Sequence, residues 1–198
     1  MFRIHKRNHL PHWDVTHGIQ FVTWHLADAL PKAAIDKLRR ERDYERQRLL
    51  AARGVTTKAD VATLQVAFRR QCERLLDSSH GECVLRDPRA ANVVAEALVH
   101  FDARHYRLFA RRVMPNHVHV IFSTELPLEE IVHAWKSFTS KAVNKVIGRV
   151  GKLWQEDYFD RLIRNEKQLR RAIDYVVNNP AKAGLVDWPF VRCYPEQL

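Results

Sequence analysis

The apolar residues fall into short stretches with a period of two and longer ones with a period of three or four. Residues 19–26 alternate: Ile19, Phe21, Thr23 and His25 point one way, Gln20, Val22, Trp24 and Leu26 the other. That pattern predicts a strand. Residues 104–113 and 117–124 alternate in the same way, with Pro115-Asn116 as the turn between them, so they predict a hairpin. A short strand is predicted over 158–163. Helical spacing runs over 32–52, a charged stretch with a narrow stripe of Ile35, Leu38, Leu49 and Leu50. Gly54 breaks it, and Thr57 is a natural N-cap for a second helix carrying Val61, Leu64, Phe68, Cys72 and Leu75. Asp87-Pro88 opens a third helix. Pro127 opens a fourth, which Gly148 and Gly151 close. A fifth begins at Asn165 or Glu166 and is expected to stop before Pro180. Residues 1–17 are polar and rich in His and Arg, an expected basic arm, and the tail after Gly184 is expected to be irregular.

With the helical hairpin at 31–80 set aside, the order is strand, helix, strand, strand, helix, strand, then one more helix. The expectation is a single α+β domain over 1–198. It is a ferredoxin-like antiparallel sheet (βαββαβ) with a C-terminal helix bearing Tyr175 and an inserted helical hairpin.

Composition narrows the class. The 198 residues carry 33 Lys and Arg against 23 Asp and Glu, a net charge of +10, with eleven histidines counted neutral. The hydrophobic fraction of 46% supports a core and excludes a disordered chain. No apolar run approaches the ~20 residues of a membrane span. No apolar region follows the basic N-terminus, so no secretory signal is expected. Cys72, Cys83 and Cys193 are odd in number and unevenly spaced, which predicts free thiols in a reducing cytoplasm. The positive excess favours a polyanionic partner through counterion release.

Two residue pairs carry candidate chemistry. His117 and His119 lie at i and i+2 on a predicted strand, about 7 Å apart along it and on one face, where they either pack or converge on one metal ion. Tyr175 and Asn179 lie at i and i+4 on one helix face. Two imidazoles and an amide oxygen suit a divalent cation with open positions. A phenol beside it could attack a phosphodiester. Imidazole with amide oxygen suits Mn²⁺ and accepts Mg²⁺, so Mg²⁺ or Mn²⁺ is the expected cofactor.

The stretch 113–119, ending in His117-Val118-His119, resembles the HUH motif of single-tyrosine transposases. Residues 154–164 resemble their downstream block, and 135–141 their preceding helix. The stretch 173–186, Ile-Asp-Tyr-Val-Val-Asn-Asn-Pro-Ala-Lys-Ala-Gly-Leu-Val, is the most specific match. It resembles the REP-associated tyrosine transposases, relatives of the IS200/IS605 enzymes, as does 187–190 after it. The likeness covers about 85–195 and, loosely, the first strand.

The resemblance implies metal-dependent cleavage and rejoining of single-stranded DNA near hairpins (REP-like palindromes) through a 5′-phosphotyrosine, with no nucleotide cofactor. It implies a cytoplasmic bacterial protein, nucleoid-associated when bound to DNA, with a monomer favoured and a dimer possible. Carried over residue by residue, Tyr175 is the nucleophile, His117 and His119 are metal ligands and Asn179 is the third. The wider relatives have Gln at that last position, one methylene longer. Tyr158 competes as nucleophile but has Leu162, not an amide, at i+4. Candidate DNA contacts are Arg3, Lys6 and Arg7 in the arm, Lys136, Lys141 and Lys145 on the fourth helix, and Arg161 and Arg164. Two rival readings remain: a catalytically silent protein that binds hairpin nucleic acid, and a phosphodiesterase in which water attacks.

Overall fold

Strand β1 (Phe2–Arg7) and strand β2 (Leu10–Val15) pair antiparallel with each other, so the segment expected as an arm is a hairpin. Its apolar residues are interleaved with charged residues and histidines, which reads equally as a basic arm. In the computed structural model of the chain, the backbone is described for residues 2–7, 10–15, 18–182, 184–185 and 187–197. Side chains are described for 18–178, 184–185 and 187–196. Arg3, Lys6 and Arg7 as DNA contacts therefore lie outside the described side chains.

The main sheet has five antiparallel strands in the order β6-β3-β5-β4-β7. They are β3 (Ile19–His25), β4 (Tyr106–Val113), β5 (His117–Thr124), β6 (Phe159–Ile163) and β7 (Val191–Cys193). Helix α1 (Lys32–Arg53) and helix α2 (Lys58–Asp77) are the expected insertion between β3 and α3 (Pro88–Val99). Helix α4 (Leu128–Ile147) joins β5 to β6, and α5 (Glu166–Lys182) follows β6. Taking β3, β4, β5 and β6 as strands one to four, the order 4-1-3-2 is the ferredoxin-like arrangement expected from the sequence. β7 adds an edge strand beside β4, a correction to the irregular tail. Three residues are too few to display an alternation.

Alternation sorts the side chains onto two faces. Val22, Trp24, Val118, Val120 and Phe122 pack with α3 and α4 in the larger core. Phe21, Ala110 and Ile121 pack under Leu169, Ala172, Ile173 and Val176 of α5. The helix ends follow their local chemistry. Asp87 accepts the Arg89 N–H at 2.9 Å, with Pro88 in the first turn of α3. Thr57 and Asp60 form a reciprocal capping box on α2. Gly148 closes α4 at φ 65°, where an L side chain would be strained.

Helix α5 runs through Pro180 instead of stopping before it. Proline has no N–H for the carbonyl four residues back, here Val176. Arg112 from β4 fills the gap: its Nη1 donates to Val176 O at 3.3 Å and Tyr175 O at 3.2 Å. The tertiary contact supplies what the chain's own geometry withholds.

Trp135 and Trp154 are both buried. Trp135 stacks on Trp24 and donates its Nε1–H to the Tyr106 hydroxyl at 3.1 Å. Tyr106 in turn donates to Leu98 O at 2.9 Å. Cys72, Cys83 and Cys193 are free thiols, as expected. Among the described residues no helix is long and apolar enough to cross a membrane.

Thr139 joins α4 to the segment before β6. Its buried hydroxyl donates to Trp135 O at 2.6 Å and accepts the Trp154 Nε1–H at 2.9 Å. Thr139→Val keeps the shape and leaves the indole N–H buried without an acceptor. Urea denaturation should show a loss of about 1–3 kcal/mol.

Candidate active site

The β4–β5 turn aims the histidine pair. Met114 N–H donates to His117 O at 2.7 Å, and Leu85 N–H to Pro115 O at 3.1 Å. Asn116, read from sequence as a turn residue, is fully buried. Its Oδ1 accepts from His117 Nδ1 at 2.7 Å, while its Nδ2 donates to His80 O at 3.1 Å. His117 Nδ1 therefore carries the proton and Nε2 presents a bare lone pair. His119 Nδ1 lies 2.6 Å from the Thr23 hydroxyl on β3, the strand partner directly opposite. In both rings Nδ1 is taken, and Nε2 is buried with no hydrogen-bond partner. A hydrogen bond that fixes one imidazole nitrogen and leaves the other bare is the usual second shell of a metal-bound histidine. The ring centroids are 4.7 Å apart, so the pair shares one face as the i, i+2 spacing predicts. His25 stands opposite His117 in the β3–β5 register.

Tyr175 comes to the same place from α5. Its ring lies 5.5 Å from that of His119, edge-on, and 6.1 Å from that of Phe21. Its hydroxyl is buried without a hydrogen-bond partner among the described residues. The structure thus brings together His117, His119 and Tyr175. Tyr158, the competing tyrosine, packs in the larger core and also borders a groove that Tyr175 lines. Asn179 lies on α5, but its side chain is outside the described residues.

Four groups at the site escaped sequence reading. Thr23 and Asn116 orient the histidines. Arg112 is fully buried beside His119 in the β4–β5 register, with its Cζ 5.2 Å from the Tyr175 ring centroid. The fourth is Asp77 at the end of α2, whose Oδ1 is 3.8 Å from His117 Nε2. The one legible signal was the alternation of β3 and β4, which puts Thr23 and Arg112 at inward positions. The partners of Asn116 and Asp77 depend on loop and insertion geometry that no local pattern encodes.

Burial and charge set the protonation states. Burial first, then the Arg112 cation, pushes both His117 and His119 well below the ordinary histidine range, so they are neutral. Burial raises the Tyr175 phenol, helped by the nearby carboxylates Glu73 and Asp77, while Arg112 pulls it down. The bare Nε2 lone pair of neutral His117 fits a divalent cation, as does that of His119 with its Nδ1–H donated to the Thr23 hydroxyl, and Asp77 is a carboxylate within reach. Among the described residues no three His, Cys, Asp or Glu side chains already form a closed metal cluster.

The candidate DNA contacts divide. Arg161 and Arg164 line a groove of about 760 Å³ that reaches Tyr175. Lys141 and Lys145 sit on α4, which packs on the other face of the sheet, so the structure does not bring them to the site. Lys136 donates to the carbonyls of Glu156 and Asp157, tying α4 to the segment before β6.

Histidines held neutral in the folded state make stability depend on pH. The unfolded imidazoles bind protons below a pH of about 6.5, whereas the folded ones resist them, so stability falls as pH drops below that value. From pH 7 to 5.5 the loss is roughly 1 kcal/mol for each histidine. Thermal melts of the metal-free protein should show this drop, and His117→Asn and His119→Asn should each flatten it.

Residues 87–179 match the family model described as transposase, IS200 like. A REP-associated tyrosine transposase of Escherichia coli (strain K12) is 31% identical over 91 residues, covering 44% of this chain and 54% of that protein. A Haemophilus influenzae relative is 28% identical over 96 residues, covering 39% of this chain and 53% of that protein. The matched stretch thus spans about half the length of these curated relatives. A solved structure of a REP-associated tyrosine transposase bound to a REP hairpin is 19% identical, with a TM-score of 0.48, covering 97% of this chain and 91% of that one. The His117–His119 pair and Tyr175 both fall inside the stretch that is similar to the IS200-like transposase model.

Proposed function

We propose that this chain cleaves and rejoins single-stranded DNA beside hairpins of the REP type, with Tyr175 as nucleophile and Mg²⁺ or Mn²⁺ as cofactor. One observation carries the reading: the buried, unpartnered His117 Nε2 and His119 Nε2 lie next to the buried, unpartnered Tyr175 hydroxyl. Buried polar atoms without partners cost ~1–3 kcal/mol each, so their gathering is a functional signal.

His117 and His119 would hold the metal, with Asp77 beside His117 as a carboxylate donor. When bound, the metal supplies positive charge that polarises a phosphodiester oxygen. The chain's own groups do the rest. Tyr175 Oη attacks phosphorus, its proton passes to solvent, and the P–O3′ bond breaks. The 5′-phosphate stays on the tyrosine and the 3′-oxygen leaves, taking up a proton. Arg112 faces the ring where the phenolate charge forms, and Phe21 packs against its other contact. Rejoining runs the same exchange in reverse with a 3′-hydroxyl as nucleophile.

The test uses a 3′-end-labelled hairpin oligonucleotide from the flanks of the gene, because the tyrosine retains the downstream fragment. With Mn²⁺ a denaturing gel should show a labelled protein adduct, absent in EDTA and in Tyr175→Phe, and retained in Tyr158→Phe. Tight binding with neither adduct nor cleavage would favour a silent hairpin-binding protein. Cleavage that survives Tyr175→Phe without an adduct would make water the nucleophile. Metal binding is read separately: His119→Ala should weaken Mn²⁺ binding at least about tenfold by electron paramagnetic resonance titration.

A further inference from the structure

The groove that reaches Tyr175 has one wall from the domain's own sheet and helix and one wall from the insertion. Arg161 of β6 and Arg171 of α5 stand on the first, Lys58 and Arg69 of α2 on the second. With Arg164, five cations line it against two carboxylates, Glu73 and Asp160. Its volume of about 760 Å³ falls in the range of sites that take a nucleotide-sized ligand, ~300–1,000 Å³. We propose that α2 is a working wall of the substrate site, and that Arg69 and Arg161 together grip a backbone phosphate of the single strand entering towards Tyr175. The inference rests on the cleavage reading above and adds to it the path of the strand and a role for the insertion.

The geometry at the two arginines supports a clamp. Arg69 Nη1 donates to Asp160 O at 3.4 Å, which plants the α2 side chain against the β6 backbone next to Arg161. Arg161 lies over the Phe21 ring, its Cζ 5.2 Å from the centroid, and the same ring contacts Tyr175 and His119. Arg161 is therefore one aromatic ring away from the nucleophile. Two guanidinium groups from different elements repel, and Arg161 feels Arg69 as the largest charge acting against its proton, after burial. Glu73 offsets part of that repulsion. A phosphate between the two would offset more, with the planar guanidinium donors matched to its oxygens. By contrast α1, the outer helix of the insertion, buries none of its residues and contributes none to this groove's lining.

The test is binding of a fluorescein-labelled oligo(dT) and of a hairpin with a single-stranded flank to the whole protein, by anisotropy across a KCl series. Arg69→Ala and Arg161→Ala should each weaken both ligands roughly three- to tenfold. Each should also lower the magnitude of the salt slope by about 0.7, the value for one phosphate contact on a single strand. The double variant should lose less than the product of the two, because both grip one phosphate. Arg69→Lys should restore part of the loss, and Arg46→Ala, on the exposed face of α1, should bind as the wild type does. Unchanged melting temperatures keep the comparison valid. Where Arg69→Ala melts early, Lys58→Ala, across the same wall, gives the same reading. Wild-type affinity and slope in Arg69→Ala and Lys58→Ala would remove α2 from the site. A loss confined to the hairpin would assign the groove to duplex and overturn the single-strand path. Absence of any single-strand binding by the wild type would instead overturn the cleavage reading itself.

Discussion

Arg112 is the charge around which the site is organised. Its guanidinium is wholly removed from water, which is costly unless the surroundings answer it. One nitrogen is answered by the carbonyls of Tyr175 and Val176, where Pro180 leaves the α5 ladder short of a donor. That contact fixes the tyrosine helix to the strand beside the histidines. Burial first, and then the same cation, keep His117 and His119 neutral, and the cation opposes the burial that holds the Tyr175 phenol protonated. Among the described residues its Nε and Nη2 have no hydrogen-bond acceptor, which leaves them as donors beside the Tyr175 ring. Helix docking, imidazole state and phenol acidity thus hang on one side chain of β4.

The layered fold was legible because burial imposes a period. The strands 19–26 and 117–124 and the five helices follow from that period, and the order βαββαβ then fixes the sheet. What escaped has no unambiguous period. β7 is three residues long. In the β1–β2 pair the apolar residues Phe2, Ile4, Trp13 and Val15 are interleaved with charged residues and histidines, which reads equally as a basic arm. α5 continues past Pro180 because a residue 68 positions earlier, Arg112, supplies the missing donor. Local rules about proline hold only while no tertiary group intervenes.

The site divides in the same way. His117 and His119 were legible from alternation, and Tyr175 from its helix face together with the family resemblance. Thr23, Asn116 and Arg112 were not, because a side chain that orients another is defined by register across strands, which a single segment does not encode. Lys141 and Lys145 sit at regular helical spacing in a basic chain, and α4 packs on the face of the sheet away from the histidines. Charge in a sequence gives an amount and no direction.

The insertion changes what the open face of such a sheet can be. A ferredoxin-like sheet with two helices on one side leaves the other side for function, here shared by α5 and α2. Both histidines are buried, and Asp77 at the end of α2 comes to rest beside His117. Loss of water strengthens every charge interaction there. It also leaves the phenol protonated until positive charge is added, since Glu73 and Asp77 oppose its ionisation. A site of this kind is quiet at rest. In the proposed reaction the carboxylates of α2 would attract a cation to the histidines, and they oppose ionisation of Tyr175 in its absence, so the proposed wall for the strand would also tie the reactivity of Tyr175 to occupancy of the site.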